Sequence, residues 1–141
     1  MNICENIYQK IIDCCSANSN ETGGIIGGKN GVVGEFVFDE SLDNGESGCY
    51  YPDTILLNRY LSDWQQRGID FYGIVHSHFQ KSYELSSGDK EYINSIMMVM
   101  PTGTNHLYFP LVFPNEKKMV SFSATRIGGM TKIICDEINI V

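Results

Sequence analysis

The sequence predicts an α/β (α+β) sandwich, a mixed β-sheet with helices packed on it. Three observations predict it. Segments with helical and strand periodicity follow one another as helix, two strands, helix, strand, helix, then strands. A glycine-rich pair of short apolar runs is joined by "KNG", a hairpin signal. A nearly continuous apolar run, "DFYGIVHSH", reads as the centre of the sheet. The length of 141 residues fits one domain spanning 1–141.

The elements follow in order. Ile3, Ile7, Ile11 and Cys14 or Cys15 recur at helical spacing, so residues 3–17 are expected as an amphipathic helix. "TGGIIGG" and "GVVGEFVFDE" are expected as strands, with Asn30-Gly31 supplying positive φ angles at their turn. "SLDNGESG" reads as a loop. A helix over about 53–67 places Ile55, Leu57, Tyr60, Leu61 and Trp64 near one face and stops at Gly68. After the 70–78 strand, "FQKSYEL" is a loop, and "SSGDKEYINSIMMVM" opens with a helix signal. "HLYFPLVFP" and "MVSFSATRI" are expected as strands flanking the turn "NEKK", with Pro110 marking an edge or a bulge. "TKIICDEINIV" alternates and adds a last strand. A doubly wound dinucleotide fold fits poorly, because "GGIIGG" leads into a hairpin rather than opening a helix.

Composition narrows the function classes. The net charge of −7 repels phosphate backbones, which argues against nucleic acid and favours a basic protein or peptide. No apolar run approaches the length of a membrane span, so no membrane partner is expected. "MNICENIYQK" lacks a basic start followed by an apolar block, and a cytoplasmic location is expected. The five cysteines are odd in number and form no C-x-x-C pair, so they read as buried thiols rather than disulfides or zinc ligands.

Chemistry concentrates in "GIVHSHFQKSYELSSGD", residues 73–89. In a strand His76 and His78 point to the same face, with Cα atoms roughly 6.5 Å apart. Imidazoles so placed can bring nitrogens to about 2.0–2.1 Å from one zinc ion. Ser77 faces the other side. Asp89, in the first turn of the next helix, is the natural third ligand. Three protein ligands leave a place for water, the mark of a catalytic zinc site, where the water's pKa falls to about 7. Such a site needs a base that is not a ligand, and Glu21, beside glycines that permit close backbone approach, is the candidate. Plainer explanations stand beside these. Ser86 and Asp89 fit a capping box, Glu21 an ordinary solvated carboxylate, and the glycines a twisted strand.

The joint pattern is His76-x-His78, seven residues, Ser86, two residues, Asp89, with "ETGGIIGG" about fifty residues upstream. It resembles the JAMM metalloproteases, the MPN+ branch of the JAB/MPN family, over nearly the whole chain. The resemblance implies a curved sheet of cytidine-deaminase-like JAB/MPN architecture. It implies one Zn2+ per chain held by His76, His78 and Asp89, with water as fourth ligand. Glu21 would be the general acid/base and Ser86 the donor to the oxyanion. The implied reaction is hydrolysis of a peptide or isopeptide bond, and the implied partner a ubiquitin-like or carrier protein with an extended C-terminal tail. Small members of this kind act in bacteria beside ubiquitin-activating-like and conjugating-like enzymes, including in antiviral operons. Two other readings stay open: processing of a sulfur-carrier protein at its C-terminus, and a non-catalytic MPN scaffold. One residue departs from the family pattern. Phe79 stands where proline is usual after the second histidine, which leaves the ligands intact but reshapes the following loop.

Overall fold

The computed structural model describes residues 1–42, 50–79 and 82–141. Along the chain run β1 (Asn2–Ile3), α1 (Glu5–Ser16), β2 (Gly23–Lys29), β3 (Val32–Asp39), α2 (Thr54–Gln66) and β4 (Asp70–Ser77). There follow α3 (Ser87–Val99), β5 (His106–Tyr108), β6 (Leu111–Phe113), β7 (Lys118–Ile127), β8 (Met130–Asp136) and β9 (Asn139–Ile140). All strands belong to one mixed sheet in the order β5-β7-β6-β4-β2-β3-β1-β9, with β8 on the outer side of β7. The expected mixed sheet flanked by helices is therefore present, and β4 lies in its interior as its apolar run predicts.

The period of two along the central strands sorts their side chains onto two cores. Ile26, Val33, Val75 and Val112 pack with Ile7, Ile11, Ile12 and Cys15 of α1. Ile25, Ile74, Leu111 and Phe113 pack with Leu57 and Trp64 of α2 and with Ile93 and Met97 of α3. Each fully buried side chain of this size contributes about 1.5–3 kcal/mol, so each helix is held by its apolar stripe rather than by propensity alone. His76 and His78 share the parity of Ile74, which sets them on the α2 and α3 side.

Local signals behave as their chemistry requires. Asn30 and Gly31 take positive φ (55° and 76°) at the β2–β3 turn. The Asp53 side chain accepts the Leu56 N–H at the start of α2, and Gly68 with φ of 66° follows its end. Among the described residues no helix is long and apolar enough to cross a membrane. Cys4, Cys14, Cys15 and Cys135 are free thiols.

Several expectations need correction. The first helix begins at Glu5, because Asn2 and Ile3 pair in parallel with Val32–Val33 and Asn139–Ile140 as an added strand. Ile55 and Tyr60 face solvent, and only Leu57 and Trp64 of that helix are fully buried. Pro110 interrupts a strand inside the sheet, not at its edge: β5 and β6 on either side of it both pair with β4 and β7. Its carbonyl accepts the His76 N–H at 3.2 Å, so the residue still joins the ladder through the one main-chain hydrogen-bonding group that proline keeps. The last strand divides in two, β8 on β7 and β9 beside β1 at the far side of the sheet. The loop expected at 41–48 lies mostly outside the described residues, as do two residues of the 79–85 loop.

Candidate metal centre

The centre forms where the carboxyl end of β4 meets the amino end of α3. β6 pairs in parallel with β4 here, and the His78 N–H donates to the Val112 carbonyl at 2.8 Å. Both imidazoles are nearly buried. The edge of the His78 ring faces the Phe113 ring at 6.4 Å. Helix α3 starts with a complete capping box: Ser86 Oγ accepts the Asp89 N–H at 3.1 Å, and Asp89 Oδ2 accepts the Ser86 N–H at 2.8 Å. That leaves Asp89 Oδ1 aimed at the histidines. The cap and the cluster thus use different oxygens of one carboxylate, and the two readings of Asp89 coexist.

Three ligand atoms converge. His76 Nε2 lies 3.0 Å from His78 Nε2 and 3.1 Å from Asp89 Oδ1. His78 Nε2 lies 3.4 Å from the same oxygen. A tetrahedral zinc ion with bonds of about 2.0–2.1 Å separates its ligand atoms by about 3.3–3.4 Å, close to this triangle. Protons alone serve the triangle badly. Neutral rings that both carry hydrogen on Nε2 point those hydrogens at each other across 3.0 Å. If only one ring does, the other sets a lone pair against the carboxylate. A cation resolves all three contacts at once, so the donor set fits a divalent metal. One feature departs from the usual pattern for a ligating imidazole: His78 Nδ1 is buried without a hydrogen-bond partner among the described residues.

The electrostatics point the same way. Burial raises the Asp89 carboxyl's pKa, but hydrogen bonds from both histidines and from the Ser86 N–H outweigh it and hold the group far below the usual carboxylate range. Burial pulls His76 below its ordinary value. Burial also pulls on His78, yet the hydrogen bond to Asp89 and the charges of Asp89 and Glu21 leave it raised. Asp89 is thus held ionised and His76 neutral, the states in which each can donate to a cation.

Glu21 lies just before β2, close enough to feel His78 and Asp89. Burial lifts its carboxyl above the ordinary value; the His78 charge opposes this and the Asp89 charge adds to it. A hydrogen bond from the Tyr50 main chain also opposes the rise. The segment is pinned from β4: Ser77 N–H donates to the Thr22 carbonyl at 2.8 Å, and Ser77 Oγ accepts the Thr22 N–H at 2.9 Å. The structure therefore brings Glu21, His76, His78, Ser86 and Asp89 to one place.

The same architecture occurs in solved structures. A protein of Desulfitobacterium hafniense determined in solution superposes with a TM-score of 0.71 at 18% identity, covering 99% of this chain and 92% of that one. A JAB1/MPN domain protein of Archaeoglobus fulgidus gives 0.57 at 18% identity, covering 100% and 99%. A chain described as JAMM, a metalloprotease-like zinc site in the proteasome and signalosome, gives 0.54 at 17% identity, covering 100% and 97%. The chain has the JAB1/MPN fold. No family model and no curated protein matches the sequence. Within the JAB1/MPN fold, the His76–His78–Asp89 cluster of this chain is a candidate metal-binding triad.

Sequence reasoning missed Tyr50, Asp39 and Phe113. Tyr50 stacks on His76 with ring centroids 6.4 Å apart and planes at 18°, and it hydrogen-bonds Asp39. No spacing rule links residue 50 to residue 76, so nothing in the sequence signals the contact. Ser77 was set aside as a non-ligand, and its link to Thr22 appears only once β2 and β4 are paired.

Proposed function

We propose that the chain is a zinc-dependent isopeptidase or peptidase. Its substrate would be the bond between the C-terminus of a ubiquitin-like protein and its conjugate. The observation that carries this reading is the triangle of His76 Nε2, His78 Nε2 and Asp89 Oδ1, with sides of 3.0, 3.1 and 3.4 Å, next to a carboxyl group raised above its usual pKa. The likeness to a chain described as a metalloprotease-like zinc site supports it. Zinc held by those three atoms would polarise the scissile carbonyl and make water a nucleophile at neutral pH.

The chain's own groups divide the remaining work. Glu21 takes a proton from the attacking water and delivers it to the leaving lysine amine, a task its raised pKa suits. Ser86 Oγ accepts the Asp89 N–H and keeps its own proton to donate to the carbonyl oxygen as charge develops on it. Asp89 and the two imidazoles are fixed by the capping box and by β6, so the donor set needs no rearrangement. An extended C-terminal tail is a fitting substrate, because it reaches a site between strand and helix with little bulk.

The test is to load the protein with zinc and offer it an isopeptide-linked ubiquitin-like conjugate and a carrier-peptide fusion. Cleavage of the conjugate is expected. Glu21→Gln should keep the zinc and lose at least about a hundredfold in rate. Zinc binding with cleavage of neither substrate would sink the hydrolase reading, and cleavage of the fusion alone would move it to carrier processing.

A further inference from the structure

Tyr50 does two things that a tyrosine packed only for bulk has no reason to combine. Its ring lies nearly parallel to the His76 imidazole, with planes at 18° and centroids 6.4 Å apart. Its hydroxyl donates to Asp39 Oδ2 at 2.8 Å. We propose that Tyr50 is a positioning residue for the metal centre, holding the His76 ring in place from an anchor on buried Asp39. The inference rests on the reading of the His76–His78–Asp89 cluster as a metal centre.

The anchor is itself fixed. Asp39 is 3% exposed, its Oδ2 also accepts the Asp53 N–H at 2.8 Å, and its Oδ1 accepts the Ser41 N–H at 3.0 Å. Asp53 is the residue that caps α2. The end of β3, the start of α2 and the Tyr50 ring are therefore tied at one carboxylate, and none can shift without breaking a buried bond.

The space for the ring is built in. Gly23 pairs with His76 across β2 and β4, so any side chain at 23 would stand beside that imidazole. A Cβ there would lie 2.6 Å from Tyr50 Cε2 and would also strike the Val75 carbonyl. The glycine two residues after Glu21 thus makes room for Tyr50. A ring whose orientation is left free spends part of its time unable to bind metal, and groups that orient a ligating histidine typically change metal affinity about 10–100-fold.

The experiment compares Tyr50→Leu and Tyr50→Phe with the parent in two measurements. The first is zinc affinity by competition with a chromophoric chelator. Tyr50→Leu should bind about tenfold more weakly or worse, while Tyr50→Phe, which keeps the ring but cuts its anchor on Asp39, falls between Tyr50→Leu and the parent. The second uses metal-free protein and follows the His76 ring resonances by NMR. They should be single and sharp in the parent, and shifted and broadened in Tyr50→Leu, with the α1 core unchanged. Zinc affinity in Tyr50→Leu within about twofold of the parent overturns the inference, as does a His76 ring that stays sharp. A tyrosine needed only for folding would lower the melting temperature and leave both readouts in place. If Tyr50→Leu fails to fold, Tyr50→Met, whose longer unbranched side chain adapts to the ring's space, carries the same test. A parent that binds no zinc defeats the metal-centre reading and this inference with it, whereas a parent that binds zinc with Tyr50→Leu unchanged in both readouts defeats this inference alone.

Discussion

The two faces of β4 are equally buried and differently made. Toward α1 the strand presents Val75 and Ser77, both fully covered, and the one polar group there has its partner in Thr22. Toward α2 and α3 it presents Ile74, His76 and His78. On that side three ligand atoms sit within 3.4 Å of one another, with fewer usable hydrogens than contacts. Burial alone does not separate a core from a site. The difference lies in whether the fold itself satisfies the polar groups it encloses.

The largest expected effect breaks the comparison on the side of the centre. His78→Ala should take bound zinc from about one per chain to none. It should leave the melting temperature of the metal-free protein unchanged or higher, since a crowded polar contact is removed. Metal analysis and calorimetry check both, and a metal-free protein that unfolds on losing His78 would show the cluster to be structural. On the other face, Ile11→Ala, from a fully buried α1 side chain, should cost about 2–5 kcal/mol in denaturant unfolding and leave zinc stoichiometry alone. Ser77→Ala leaves the buried Thr22 N–H unpaired and should cost about 1–3 kcal/mol. It should also slow turnover, because the displaced segment carries Glu21.

The smallest effect is chemical. Burial pushes the Cys15 thiol up to about 12, whereas Cys135 is exposed. Iodoacetamide at pH 8 should label Cys135 and spare Cys15 in the native protein, read by mass spectrometry. The unfolded chain ionises Cys15 near pH 8.5, where the folded one keeps the proton. This thiol's contribution to stability is therefore complete below about pH 8.5 and falls as pH rises toward 12. Cys15→Ala should flatten that alkaline slope in unfolding measurements.

What the sequence discloses follows from how local each feature is. The shared face of His76 and His78 is a consequence of strand parity, and the Asn30-Gly31 turn and the Gly68 stop depend only on their own φ angles. Ser86 and Asp89 lie three residues apart, so the capping box was legible too. The contacts of Tyr50 with Asp39, Glu21 and His76 join separate elements and were not. β1 escaped notice because two residues cannot display a period. Pro110 signals an edge or a bulge, and only the pairing with β4 and β7 decides that it interrupts a strand inside the sheet.

Asp89 spends one oxygen on starting a helix and the other on the histidines. A chain of this fold that holds no ion would still need that carboxylate to begin α3. Finding serine and aspartate at this spacing in another chain therefore says little about whether it works as a catalyst, and the surviving pair of imidazoles is the better witness.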